Sequence, residues 1–293
     1  MHVSRKSTPP VPACPVLILG TDDIASAVAH ALVTAGYPTV LARDAAVPVL
    51  RRAMSFDDAL EFGAIELAGV HARAALDTLA LARLLQDGRF LPVTALPPDD
   101  LLCLGLVRGV IDARMRRHQP KADLRPLAGF AIGLGPGFEA GGNVHIAVET
   151  APESAGEIVR AGPTLAAHGR SDPIAGIGRE RFTRAPMPGC WTTSHAIGAA
   201  VQAGEVIGTC GEVAVRAPLA GCLRGLVRSG IEVTAGVKLL EVDPRGAAGQ
   251  WDGIPPRPAR IAAATLQALR EIEVRAVITS SRGNAGRMSR RLP

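Results

Sequence analysis

The chain has 293 residues, 47% hydrophobic and 20% charged, enough to bury a core in two or three packed units. Its formal charge of +5 is carried by the ends, where Arg5, Lys6, Arg275, Arg282, Arg287, Arg290 and Arg291 stand with no acid among them. With those cations set aside the body sits at about −2, and 3% aromatics supply few stacking rings, which excludes a nucleic-acid groove.

Residues 1–13 and 274–293 therefore read as solvated, disordered tails. No stretch approaches the ~20 apolar residues of a membrane span. The run at residues 16–20 meets Asp22 and Asp23 too soon for a signal peptide. Cys14, Cys103, Cys190, Cys210 and Cys222 lack C-x-x-C spacing and read as reduced thiols of a cytoplasmic protein.

Residues 15–20 form a short apolar run ended by Gly20, the pattern of a buried parallel strand. Ile24, Ala27, Val28, Ala31 and Leu32 then share one helical face, and Gly36 stops the helix. With a strand at 39–42 they make the β-α-β opening of a doubly wound sheet. The alanine- and leucine-rich stretch 71–86 predicts one helix closed by Gly88. Strands are predicted at 91–96, 104–111 (leading to Asp112), 130–134 and 144–148, and an amphipathic helix at 259–272.

Residues 184–204 return, shifted by 32, as residues 216–236 without a gap. Arg184-Ala185-Pro186 recurs as Arg216-Ala217-Pro218, and Gly189-Cys190 as Gly221-Cys222. Short alternating runs between proline and glycine turns suit strands, and neither copy could bury an apolar face alone. The pattern resembles the barrel-sandwich hybrid of biotinyl and lipoyl domains. Those carriers need an exposed lysine between the halves, whereas Gly208–Val213 holds none and Lys238 lies in the last apolar run. No lipoate or biotin attachment is expected.

Two glycine-bearing turns could hold an anion. At the first, Gly20-Thr21-Asp22-Asp23, a carboxylate stands where a dinucleotide fingerprint has its second glycine. The second turn carries Gly133, Gly135, Gly137, Phe138, Gly141 and Gly142 between two strands, a spacing that suits a nest of backbone N–H groups. Asp112, Glu149 and Arg184 are the weak catalytic candidates. His145, His168 and His195 lack partners at ligand spacing, so no metal site is expected.

The order I-G-L-G-P-G-F-x-A-G, V-H, V-E-T, R-F-T-R-A-P and E-V-D-P-R-G resembles the YqeB-type proteins, across about residues 16–272. Gly133, Gly135, Pro136, Gly137, Phe138, Ala140 and Gly141 stand as in that family. So do His145, Glu149, Thr150, Arg181, Arg184, Asp243 and Arg245. Departures are Asp22 in the first turn, Arg117-His118-Gln119 after Asp112-Ala113, and Ala151-Pro152-Glu153-Ser154 where R-G-H is typical.

The resemblance implies an accessory protein of the selenium-dependent molybdenum hydroxylase system, with that hydroxylase or its maturation machinery as partner. A nucleotide or a molybdopterin-type phosphate is then the expected occupant of the Gly-rich loop, and a homo-oligomer fits the reading. An NAD(P)-type oxidoreductase and a non-catalytic adaptor stay open as alternatives. The expected fold is α/β. It comprises a Rossmann-like domain over residues 14–126, a Gly-rich central unit over 127–180, a barrel-sandwich hybrid over 181–246 and a closing helix over 247–273.

Overall fold

Val16–Leu19 (β1) is wholly buried, and α1 (Asp23–Thr34) follows it at once. Asp22 caps that helix, accepting the N–H groups of Ile24 and Ala25 at 3.0 and 2.9 Å. The computed structural model describes residues 14–288 except 104, 106, 117, 118, 168 and 170, and side chains at all of these but 103 and 277–288.

After α1 come β2 (Thr39–Ala42), a short α2 (Ala59–Phe62), β3 (Ala64–Leu67) and β4 (Val70–Ala75). Next are α3 (Thr78–Asp87), β5 (Leu91–Thr94), α4 (Pro98–Cys103) and β6 (Gly109–Asp112). Then β7 (Ala131–Leu134), β8 (Glu139–Ala140), β9 (Ile146–Val148), β10 (Ile158–Val159) and β11 (Gly162–Pro163) lead to the repeat. One nine-stranded sheet runs β10-β9-β7-β6-β1-β2-β5-β4-β3, and β8 pairs separately with β11. The seven strands from β9 to β4 are parallel, and the edge strands β3 and β10 are antiparallel to their neighbours.

The repeat forms β12 (Phe182–Arg184), β13 (Gly189–Thr192), β14 (Ala200–Val201) and β15 (Val206–Cys210). Its second copy forms β16 (Val213–Arg216), β17 (Gly221–Leu226), β18 (Ile231–Val233) and β19 (Lys238–Asp243). The sheets are β12-β19-β17-β14 and β16-β15-β13-β18, so each takes strands from both copies. Equivalent contacts repeat: Arg184 donates to the Gly236 carbonyl at 2.6 Å, and Arg216 to the Gly204 carbonyl at 2.9 Å. Trp191, wholly buried between the sheets, donates its indole N–H to the Val227 carbonyl at 3.0 Å.

α5 (Pro256–Met288) turns back to pack along α1. Ile261, Ala264, Ala268 and Leu269 enter the core under the large sheet beside Ile24, Val28 and Leu32.

The expected combination of Rossmann-like domain, separate central unit and barrel-sandwich hybrid is corrected. The chain is a mixed α/β protein with several sheets. One sheet draws strands from both N-terminal segments, and β6, β7 and β9 follow one another without intervening α-helices, unlike a doubly wound fold. The repeat is not self-contained either. Leu50 packs into its core, and the Leu226 N–H donates to the Leu50 carbonyl at 2.8 Å.

The predicted helix at 71–86 splits into β4 and α3. Val70–Ala75 gains a parallel partner in β5, and Asp77 caps the helix by accepting the Ala80 N–H at 2.7 Å, so tertiary pairing overrides alanine propensity. Of the strand expected at 104–111, the described residues form Gly109–Asp112, and residues 104 and 106 lie outside the described residues. Residues 274–288, assigned above to a disordered tail, continue α5, while residues 1–13 and 289–293 lie outside the described residues.

Candidate functional site

The ends of β1, β6, β7 and β9 open onto a cleft of about 890 Å³. Its lining comes from the large sheet, as Gly20–Asp23, Arg114, Pro136 and Glu149, and from the repeat, as Arg184, Arg224, Lys238 and Arg245, together with the first turns of α5. In the large sheet β1 lies between β2 and β6, so the cleft opens at the end of a central strand.

The first turn is closed to phosphate. Gly20 has φ +111°, and a Cβ there would come within 3.2 Å of the Ala113 carbonyl oxygen, so glycine is required for the close approach of β1 to the end of β6. Asp22 already occupies the N–H groups that a pyrophosphate would take. Burial, with Asp23 next to it, pushes the Asp22 carboxyl up to about 7. Asp23 is held by Arg51 at 2.8 Å, and Thr21 donates to Asp57 at 2.6 Å.

The Gly-rich loop lies beside the cleft, with Pro136 as its contribution to the wall. Phe138 is buried against Gly133, where a Cβ would strike its ring. The N–H groups of Gly135, Glu139, Gly141 and Gly142 all donate within the fold, to Val148, Asn143, Val144 and Glu139. These glycines thus serve a tight turn, and the backbone nest expected at Gly133–Gly142 is largely consumed. Of the predicted cofactor-binding residues, the structure brings Gly20, Asp22 and Asp23 to the cleft, and Gly133, Gly135, Gly137, Phe138, Gly141 and Gly142 do not line it.

Of the catalytic candidates, Glu149 and Arg184 line the cleft. Glu149 is buried and accepts the Leu165 N–H at 2.7 Å, and burial raises its carboxyl above the ordinary range. Asp112 is buried behind the wall and neutralised by Arg114 at 2.6 Å. His145 accepts the Ala131 N–H on Nδ1, His195 is held between the Ile207 carbonyl and Glu205, and His168 lies outside the described residues. Among the described residues no group of three or more His, Cys, Asp or Glu could hold a metal ion.

The main feature that motif reading missed is arginine: among the described residues ten line the cleft, with Lys238, against five carboxylates. Most are neutralised. Arg51 and Arg181 meet on buried Glu241 at 2.7 and 2.8 Å, Arg116 pairs with Asp44, and Arg245 with Asp243. Burial would raise the Glu241 carboxyl, but Arg51 and Arg181 outweigh it and hold the group at about 2. Burial and neighbouring Arg51 lower Arg224, whose Nε has no hydrogen-bond partner. Among the described residues Arg179, Arg184 and Arg260 have no carboxylate partner. They come from the turn at Arg179–Arg181, from β12 and from α5, segments scattered over 80 residues, so local spacing could not have joined them.

No family model matches the chain. Among solved structures, it resembles a succinylglutamate desuccinylase/aspartoacylase from Rhodobacter sphaeroides (19% identity, 29% of each chain, TM-score 0.20). An aspartoacylase family protein from Mesorhizobium loti matches at 13% identity over 79% of this chain and 52% of that one, TM-score 0.20. The ectoine utilization protein EutE (DoeB) from Ruegeria pomeroyi matches at 12% over 78% and 86%, TM-score 0.24. Overlaps this low carry no argument about fold or activity. A curated relative, described as uncharacterized protein YqeB of Escherichia coli (strain K12), is 32% identical over 257 residues, which are 87% of this chain. The chain spans about half of that relative's length, 47%. Identity of this degree over most of the chain supports a YqeB-type protein.

Proposed function

We propose that the cleft binds a small polyanion and that the chain acts as an accessory protein to a molybdenum hydroxylase, the anion being a nucleotide or the phosphate end of a molybdopterin-type cofactor. The observation that carries the binding reading is the set Arg179, Arg184 and Arg260, three guanidinium groups without carboxylates on one cleft. Arg51 and Arg181 have their counter-charge in Glu241, whereas these three are exposed to solvent and their positive charge is open to an incoming anion. A volume of about 890 Å³ lies within the range of small-molecule sites. Arg184 and Arg260 would hold the phosphate of either candidate ligand. The accessory role is supported by the order of motifs shared with YqeB-type proteins.

Calorimetric titration with inorganic pyrophosphate at low salt tests the binding reading. Each charge-assisted contact is worth about 1.5–3 kcal/mol, so Arg184→Gln with Arg260→Gln should weaken binding by well over tenfold. Equal affinity in the parent and the double variant would remove the cleft as the anion site.

A further inference from the structure

The repeat departs from its own symmetry at Arg224. In the first copy Trp191 pairs with Cys210 and Thr192 with Thr209 in regular register. In the second copy Leu223 pairs with Val242 as the 32-residue shift requires, but Gly225, not Arg224, takes Glu241. Arg224 is thus the extra residue of a β-bulge on β17, a device that re-aims a side chain and recurs beside active sites. Docking explains the glycine, since a Cβ at Gly225 would strike the Leu50 side chain. It does not explain an arginine at the bulge, where the first copy has threonine.

Arg224 lines the cleft yet is only 6% exposed, so its guanidinium needs partners within the protein. Nη1 donates to the Gln250 carbonyl. Nε is sealed from solvent without a hydrogen bond, and among the described residues Nη2 makes none either. Glu241 stays 3.7 Å from Nε and Asp243 3.8 Å from Nη1. Both carboxylates are already engaged, Glu241 by Arg51 and Arg181, and Asp243 by Arg245. With Asp23 on Arg51, the four guanidinium groups of Arg51, Arg181, Arg224 and Arg245 share three carboxylates. The unmatched positive charge falls to Arg224, the member without a close pair, and a buried charge left in that state is costly. Nε and Nη2 share one edge of the guanidinium plane. With that edge Arg43, Arg114 and Arg245 each clasp both oxygens of an aspartate.

We infer that Arg224 is the buried anchor of the cleft's anion: its Nη2 donates to an oxygen of the ligand's phosphoryl group, which supplies the charge that Glu241 and Asp243 leave unmatched. This role rests on the anion-binding reading and adds to it a residue outside the exposed set of Arg179, Arg184 and Arg260. A planar guanidinium held at Nη1 meets an oxyanion in one orientation, whereas an exposed arginine attracts anions from many.

The test uses the full chain and inorganic pyrophosphate at low salt. The Arg224 Nε–H is shielded from solvent and therefore observable in ¹⁵N–¹H spectra. At saturation it should shift more than the Nε–H groups of Arg51 and Arg181, which Glu241 already holds. Arg224→Lys keeps the charge but loses the planar edge, and calorimetry should show affinity lower by about tenfold or more. A purely structural Arg224 gives another result: Arg224→Lys lowers the melting temperature but leaves both the affinity and the melting-temperature gain from pyrophosphate as in the parent. That result, or an unmoved Arg224 signal in the parent, overturns the anchor; where Arg224→Lys does not fold, the signal decides. Arg184→Gln should weaken pyrophosphate independently. If it does so while the Arg224 signal stays in place, the anion site stands without this anchor. If the parent does not bind pyrophosphate, the anion reading falls and the anchor with it.

Discussion

Replacing Glu241 with glutamine should cost the fold about 3 kcal/mol at neutral pH, and the size follows from two independent routes. Glu241 is wholly buried, its Oε2 taking Arg51 at 2.7 Å and its Oε1 taking Arg181 at 2.8 Å. The arginines hold its carboxyl at about 2 against an ordinary 4.5. Roughly 2.5 units at ~1.4 kcal/mol each is about 3 kcal/mol. Removing one partner of a buried ion pair costs about 3–5 kcal/mol, and here it leaves Arg181 buried without a carboxylate while Arg51 keeps Asp23. Since the folded value is depressed, this stability is present above pH 4.5 and lost as pH falls towards 2.

Urea unfolding of the parent and Glu241→Gln at pH 7, repeated down to pH 3, reads both consequences. The variant should start lower, with a melting temperature reduced by several degrees, and should lose less on acidification. Glu271 supplies the contrast: its carboxyl is also held at about 2 by Arg160, but that pair is open to solvent, so Glu271→Gln should shift the midpoint far less. A Glu241→Gln penalty below about 1 kcal/mol, or an unchanged acid slope, would refute the reasoning.

Two further outcomes are expected. Asp22 has its folded value raised from 3.8 to about 7, so the folded state binds the extra proton between about pH 4 and 7 and loses stability as pH rises through that window. Asp22→Asn removes the penalty: discounted for the water of the cleft, the gain should be about 1–2 kcal/mol at pH 8.5 and near zero at pH 4, and thermal melts with equal gains at both would contradict it. In the native host, deleting the gene should leave the partner molybdenum hydroxylase expressed and folded but low in molybdenum and specific activity. Unchanged activity per molecule in the purified hydroxylase would end the maturation proposal.

The opening of the fold was legible because its signals are local. A four-residue apolar strand, the cap at Asp22 and the stop at Gly36 follow one another within 21 residues. Residues 71–86 misled because alanine is permissive: Val70–Ala75 becomes a strand through pairing with β5, a partner that periodicity does not reveal. The Gly-rich loop misled in another way. Its glycines answer to Phe138 and Thr150, which crowd Gly133 and Gly135 from within, and such steric demands look like a ligand's in sequence. The arginine cluster left no local trace.

Arg184 shows why the repeat alone could not locate the site. It and Arg216 occupy equivalent positions, and each donates to a glycine carbonyl of the other copy, so both are turn residues by origin. Only Arg184 lines the cleft. The difference comes from what surrounds the repeat: Leu50 and Arg51 dock one side of it against the large sheet, and α5 begins beside that junction. A residue serving an internal two-fold is thereby brought to the cleft that Arg260, Asp22 and Glu149 also line, while its twin at Arg216 is not among the lining residues. Symmetry of the module and asymmetry of its docking together make the site. The prediction that Arg184→Gln weakens anion binding therefore carries a matched control. Arg216→Gln disturbs the same kind of turn, should lower stability by a similar small amount, and should leave pyrophosphate affinity where it was. Equal losses of affinity in both variants would mean that Arg184 acts through the turn and not on the ligand.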